Sequence, residues 1–110
     1  MVAIVEHNRT ALVALCRRYR VDRLYLFGSA ASGCFDSQRS DLDFLVSFVD
    51  REPTGEYADR YLDFAEGLER LFGRPVDLVT EQSIRNPYFR REVESTRQLI
   101  YERPHEETVG

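Results

Sequence analysis

Apolar residues along this chain switch between a helical and a strand period, and the switches lay out its elements. From Ile4 through Leu12, Leu15 and Tyr19 the spacing is helical, widened by Ala11 and Cys16, with Arg17, Arg18 and Arg20 on the polar flank. Residues 21–27 are rich in β-branched and aromatic side chains and stop at Gly28-Ser29, which predicts a strand and then a small-residue turn. One short helical turn is expected over 29–32, ended by Gly33, with a polar loop over 36–40 and a second strand over 41–49. Tyr57, Tyr61, Phe64, Ala65, Leu68, Leu71 and Phe72 then share one face of a long helix that ends at Gly73, just before Pro75. Residues 76–80 predict a third strand, Pro87 opens a charged helix running to about residue 95, and 98–102 predict a final strand. The expected fold class is α/β, a small mixed sheet packed by helices.

The length, 110 residues, suits one domain over 1–103, with 104–110 as a frayed tail that contains Pro104 and no apolar period. Nothing approaches the roughly 18 consecutive apolar residues of a membrane span, and the N-terminus has neither the basic start nor the apolar stretch of a signal peptide. A cytoplasmic protein is therefore expected. Cys16 and Cys34 lack CxxC spacing and a secretory context, so they read as free thiols without chemistry. A formal charge of -4 argues against direct nucleic-acid binding, which relies on basic patches. His7, His105, Tyr57 and Tyr61 are read as structural or solvated.

Candidate chemistry gathers on three acids and one turn. Asp41 and Asp43 lie two residues apart on a predicted strand and so project from one face, while Leu42, Phe44 and Val46 point to the other. Carboxylates so close repel unless a divalent cation lies between them. Asp77 is a lone acid inside Val76-Asp77-Leu78-Val79, a stretch suited to burial, and a buried acid needs a partner. If the third strand lies beside the second, Asp77 completes a three-carboxylate cluster whose oxygen ligands suit Mg²⁺ or Mn²⁺. Gly28 lets the backbone approach a ligand closely, the turn after it presents free N–H groups to an anion, and the Ser29 hydroxyl adds a donor. Neither a P-loop lysine nor GxGxxG is present. A lone DxD or Gly-Ser is commonplace; their combination with a third acid in another strand points to a metal–nucleotide site.

These segments resemble the minimal nucleotidyltransferase (MNT) family of the DNA polymerase β-like superfamily. The resemblance rests on Leu26-Phe27-Gly28-Ser29, on Ser40-Asp41-Leu42-Asp43-Phe44-Leu45-Val46 and on Gly73-Arg74-Pro75-Val76-Asp77-Leu78-Val79. It continues through Arg85-Asn86-Pro87-Tyr88-Phe89 to Leu99-Ile100-Tyr101. It implies a nucleotidyltransferase fold in which Asp41 and Asp43 hold metal ions, Asp77 completes the catalytic ion's shell and helps activate the attacking hydroxyl, and Gly28 with Ser29 holds the triphosphate. The implied reaction is attack on the α-phosphorus of ATP with release of pyrophosphate. One departure concerns Ser32, which stands where many members carry arginine, and Cys34 replaces an acid often found nearby. Members this short resemble antitoxins paired with HEPN-domain ribonuclease toxins, so the resemblance implies transfer of AMP to a toxin tyrosine and a hetero-oligomer with that toxin. A non-catalytic module that silences the toxin by binding alone is the competing reading: the three acids weigh against it and Ser32 slightly for it. A small-molecule nucleotidyltransferase ranks third, since no second domain is visible to grip such an acceptor.

Overall fold

The computed structural model describes residues 3–28, 41–50, 52 and 54–104. Ser29, the turn expected at 29–32, Cys34, the loop at 36–40 and the tail beyond Pro104 lie outside these residues. The chain runs through α1 (Ala3–His7), α2 (Arg9–Arg18), β1 (Val21–Phe27), β2 (Leu42–Phe48), α3 (Gly55–Phe72), β3 (Val76–Thr80), a 3-10 turn (Glu81–Ser83), α4 (Pro87–Thr96) and β4 (Gln98–Glu102). The α/β class and the mixed sheet are as expected.

The first helix expected from the pattern is split at Asn8. Its side-chain Nδ2 donates to the Ile4 carbonyl at 2.8 Å, a local bond that competes with the helical ladder. The starts of α3 and α4, and the end of α3, follow from capping. The Thr54 side chain accepts from the Tyr57 N–H at 3.2 Å to open α3, and Gly73, at φ 66°, closes it in the left-handed conformation. Asn86 caps α4 by accepting from the Tyr88 and Phe89 N–H groups at 2.9 and 3.4 Å, with Pro87 in the first turn, where no N–H is needed.

The four strands are ordered β3-β2-β1-β4. β1 pairs antiparallel with both β2 and β4, whereas β3 lies parallel to β2 after the α3 crossover. Strand alternation divides the core. Leu24, Leu26, Leu42, Phe44, Val46 and Phe48 pack with Leu12, Cys16, Phe64, Leu68 and Phe72 of α2 and α3. On the opposite face Phe27 and Leu45 pack with Ile84 and Val93 beneath α4. The larger cluster is heavily aromatic: the Phe64 ring lies 6.0 Å from that of Tyr19 and 5.9 Å from that of Phe48. Among the described residues no helix is long and apolar enough to cross a membrane.

Because Phe64 is fully buried between α2 and the sheet, Phe64→Ala should destabilise the protein by about 3–5 kcal/mol in urea unfolding. Leu62→Ala, two residues earlier on the same helix but 58% exposed, should cost no more than about 0.5 kcal/mol.

Candidate active site

The acids are placed by backbone pairing. In the parallel ladder Asp43 of β2 stands opposite Asp77 of β3, and Leu42, whose N–H donates to the Pro75 carbonyl at 3.3 Å, ties the two strand starts together. Antiparallel pairing sets Phe27 opposite Asp43, which brings Gly28 to the same end of the sheet. Leu42, Phe44 and Val46 are fully buried on the α3 side, so Asp43 is forced to the α4 side by the two-residue alternation. The expected proximity of Asp43 and Asp77 is therefore realised. Asp41 precedes the strand, and its charge is the last of the three influences that raise the Asp43 pKa.

Two details differ from the sequence reading. Asp77 is exposed rather than buried, because β3 is the edge of the sheet and only Leu78 in it is buried. The three acids also do not close into a ready three-ligand cage: among the described residues no group of three His, Cys, Asp or Glu side chains is placed to hold a metal ion. Asp41 is exposed and precedes β2, and it has no ladder partner among the described residues.

Repulsion among the acids is visible at Asp43, the half-buried member. Its pKa is raised from 3.8 to about 6, first by burial and then by the charges of Asp77 and Asp41. The site stores unfavourable charge that a bound cation would relieve. Its donors are oxygens only, which fits a hard divalent ion in kind. Tyr61, whose hydroxyl donates to the Leu78 carbonyl, has its own pKa raised by burial, then by Asp77 and Tyr57. It ties α3 to the edge strand, in keeping with a structural role.

Gly28 is required twice over. Its φ is 71°, and a Cβ there would sit 2.5 Å from Asp43 Oδ2, so any side chain would displace the carboxylate. Its N–H donates to Thr96 Oγ1 at 3.4 Å, while that hydroxyl donates in turn to the Glu92 carbonyl at 3.1 Å. The last turn of α4 thus pins the glycine. Phe27, Gly28, Asp43, Asp77, Phe89, Glu92, Val93 and Thr96 enclose a cleft of about 200 Å³. Glu92, Val93 and Thr96 were not among the residues singled out from sequence, and Phe89 was named only as part of the family resemblance. Phe89, Val93 and Thr96 recur at i, i+4 and i+7, a spacing that could have marked Thr96 as facing the sheet. Larger hollows of about 500 and 510 Å³ lie elsewhere, but neither is lined by an acid. Cys16 is buried with its thiol pushed up to about 12, which leaves it inert; His7 is exposed.

A carboxylate pair on adjacent strand starts, beside a glycine that admits close backbone approach, is an arrangement suited to metal-assisted chemistry on phosphates. The chain belongs to the nucleotidyltransferase domain family, whose sequence model matches residues 9–100. It is 39% identical over 84 residues to the Methanocaldococcus jannaschii protein named "Putative protein adenylyltransferase MJ1379", covering 76% of this chain and 79% of that one. Among solved structures it is similar to one described as a "putative minimal nucleotidyltransferase", at TM-score 0.62 and 32% identity, covering 86% of this chain and 90% of the other. It also shares its fold with a chain in the complex of the tri-AMPylated Shewanella oneidensis HEPN toxin with MNT antitoxin. That match has TM-score 0.62 and 20% identity, covering 89% and 72% of the two chains.

The raised Asp43 pKa gives a test free of nucleotide. A carboxyl that holds its proton more tightly folded than unfolded destabilises the fold above its folded pKa, and that penalty disappears as the pH falls from about 6 towards 3.8. In metal-free buffer at neutral pH, Asp43→Asn should raise Tm by about 5 °C, equivalent to about 1 kcal/mol after allowance for solvent screening. The difference should vanish near pH 4, as read by thermal melts across pH.

Proposed function

We propose that the protein is a metal- and ATP-dependent adenylyltransferase that acts as an antitoxin, transferring AMP to a hydroxyl, tyrosine by preference, of a HEPN-domain partner. The observation that carries this reading is the register of Asp43 against Asp77 beside Gly28. The relative named as a protein adenylyltransferase and the fold shared with the HEPN–MNT complex support it.

In the proposed site Asp41 and Asp43 hold the nucleotide's Mg²⁺ or Mn²⁺, with Asp77 as the third ligand. The ion, when bound, supplies positive charge to the phosphate oxygens of the reacting group. Gly28 and Ser29 hold the triphosphate through backbone N–H groups and the serine hydroxyl. The acceptor oxygen bonds to the α-phosphorus, the bond from that phosphorus to the bridging oxygen of pyrophosphate breaks, and the hydroxyl proton passes towards Asp77. Its exposure on the edge strand leaves that carboxylate open to an acceptor carried by another protein. The protein's contribution is chiefly to position charge.

ATP binding should require the ion, because the triphosphate and the acids repel at close range. Calorimetry with Mg²⁺ and again with EDTA checks this; equal affinity in both would remove the metal site.

Asp77→Asn should separate binding from chemistry. Incubated with the neighbouring HEPN protein, ATP and Mg²⁺, wild type should add AMP to the partner by intact mass. The variant should transfer at least about 100-fold more slowly, with ATP affinity within about threefold of wild type. Wild type that adds no AMP yet silences the partner would make the protein a binding module instead.

A further inference from the structure

The chain has 15 basic residues, all of them arginine, and three gather around one hollow. This hollow, of about 500 Å³, is lined by Arg17, Arg20, Val21, Val49, Tyr101 and Arg103, with Pro104 at its edge. It lies at the end of the sheet where β1 begins, whereas Gly28 and the acids lie where β1 ends, roughly 20–25 Å away for a strand of that length.

Among the described residues its charge is only partly compensated. Arg103 pairs with Asp22 through Nε at 3.4 Å, but no acid among the described residues pairs with Arg17 or Arg20. In a protein of net charge -4, two guanidiniums with no acidic partner among the described residues and a third at the same cavity make a local positive focus. Arg20 is also the one described non-glycine residue with positive φ, at 57°, and its carbonyl accepts from the Val49 N–H at 2.9 Å. Glycine or asparagine would hold that turn with less strain, so the turn is no reason for an arginine to stand there. The floor of Val21, Val49 and Tyr101 is apolar or aromatic, and the volume falls within the roughly 300–1,000 Å³ of small-molecule sites.

We propose that this hollow is a second ligand site, for a small organic phosphate whose phosphate is held by Arg17, Arg20 and Arg103 and whose apolar or aromatic body lies over Val21, Val49 and Tyr101. Arginine suits this task because its planar fork matches phosphate oxygens two at a time. The concave shape and apolar floor favour such a ligand over an acidic protein surface, which would need a flatter basic face. Binding here uses neither metal nor the carboxylates, so it stands or falls separately from AMP transfer.

The test is a ¹⁵N–¹H NMR titration of the full chain in EDTA with AMP, using adenosine and inorganic phosphate as comparison ligands. EDTA leaves the carboxylate end repulsive to phosphate. AMP should shift the amides of Val21, Val49, Tyr101 and Arg103 saturably and bind more tightly than inorganic phosphate, and adenosine should leave them unmoved. Arg17→Gln/Arg20→Asn should weaken AMP by about tenfold or more, two charge-assisted contacts being lost, without lowering Tm, because asparagine accepts the left-handed turn. Arg17→Gln alone gives the same comparison without touching that turn. Shifts centred on Gly28, Asp43 and Asp77, an unchanged affinity in both variants, equal binding of AMP and inorganic phosphate, or no saturation by about 10 mM would each overturn the proposal.

Discussion

The parallel pairing of β2 with β3 is the constraint on which the rest of this molecule turns. It sets Asp43 opposite Asp77, two acids that would otherwise avoid each other, and holds them with a ladder that runs from Leu42 to Val46 on one strand and from Val76 to Thr80 on the other. The ladder is in turn held by burial. Leu42, Phe44 and Val46 are wholly enclosed by the helices on the far face, and a slip of one residue would bring Asp43 into that core and expose Phe44. The energy that keeps the acids together is thus supplied by apolar packing on the opposite side of the sheet, and the raised pKa of Asp43 records the opposing electrostatic cost.

The other face is built around a different limit, the absence of a side chain at Gly28. That position must be bare for Asp43 to keep its carboxylate where it is, and Thr96 holds it there through the backbone N–H. Residues Phe27, Leu45, Ile84 and Val93 form the small core that seats α4 over this end of the sheet. A helix distant in sequence therefore fixes the distance between the glycine turn and the acids, so a change at Val93 or Thr96 would reach the site without touching an acid.

Most of the elements were legible because their patterns are local. Residues 76–80 and 98–102 form strands over those bounds, and the glycine stop of α3 falls at Gly73. The shortfalls have separate causes. The break at Asn8 is a side-chain bond overriding an apolar stripe, a local competition that periodicity ignores. Asp77 was read as buried because its neighbours are apolar, yet burial depends on sheet order, and no window of sequence says that β3 is an edge. Asp41 falls just outside the strand that was expected to include it, because the strand begins one residue later, at Leu42. The contributions of Glu92 and Thr96 depend on where α4 docks, a tertiary fact carried by a few buried side chains.

The size of the cleft bears on how such a site would work. Its walls enclose about 200 Å³, below the roughly 300–1,000 Å³ usual for small-molecule sites. In the proposed reaction this space takes the phosphates and the ion, while the nucleotide's remaining parts and the partner lie beyond it. Asp77 on the open edge and Asp43 half-buried within then divide the work by exposure: the outer acid meets the incoming hydroxyl, and the inner acid, whose charge is the least comfortable, gains most from the cation. Under the proposed function, such a site is weakly satisfied when empty and is completed by nucleotide, metal and acceptor together, so that the chemistry depends on the presence of the partner.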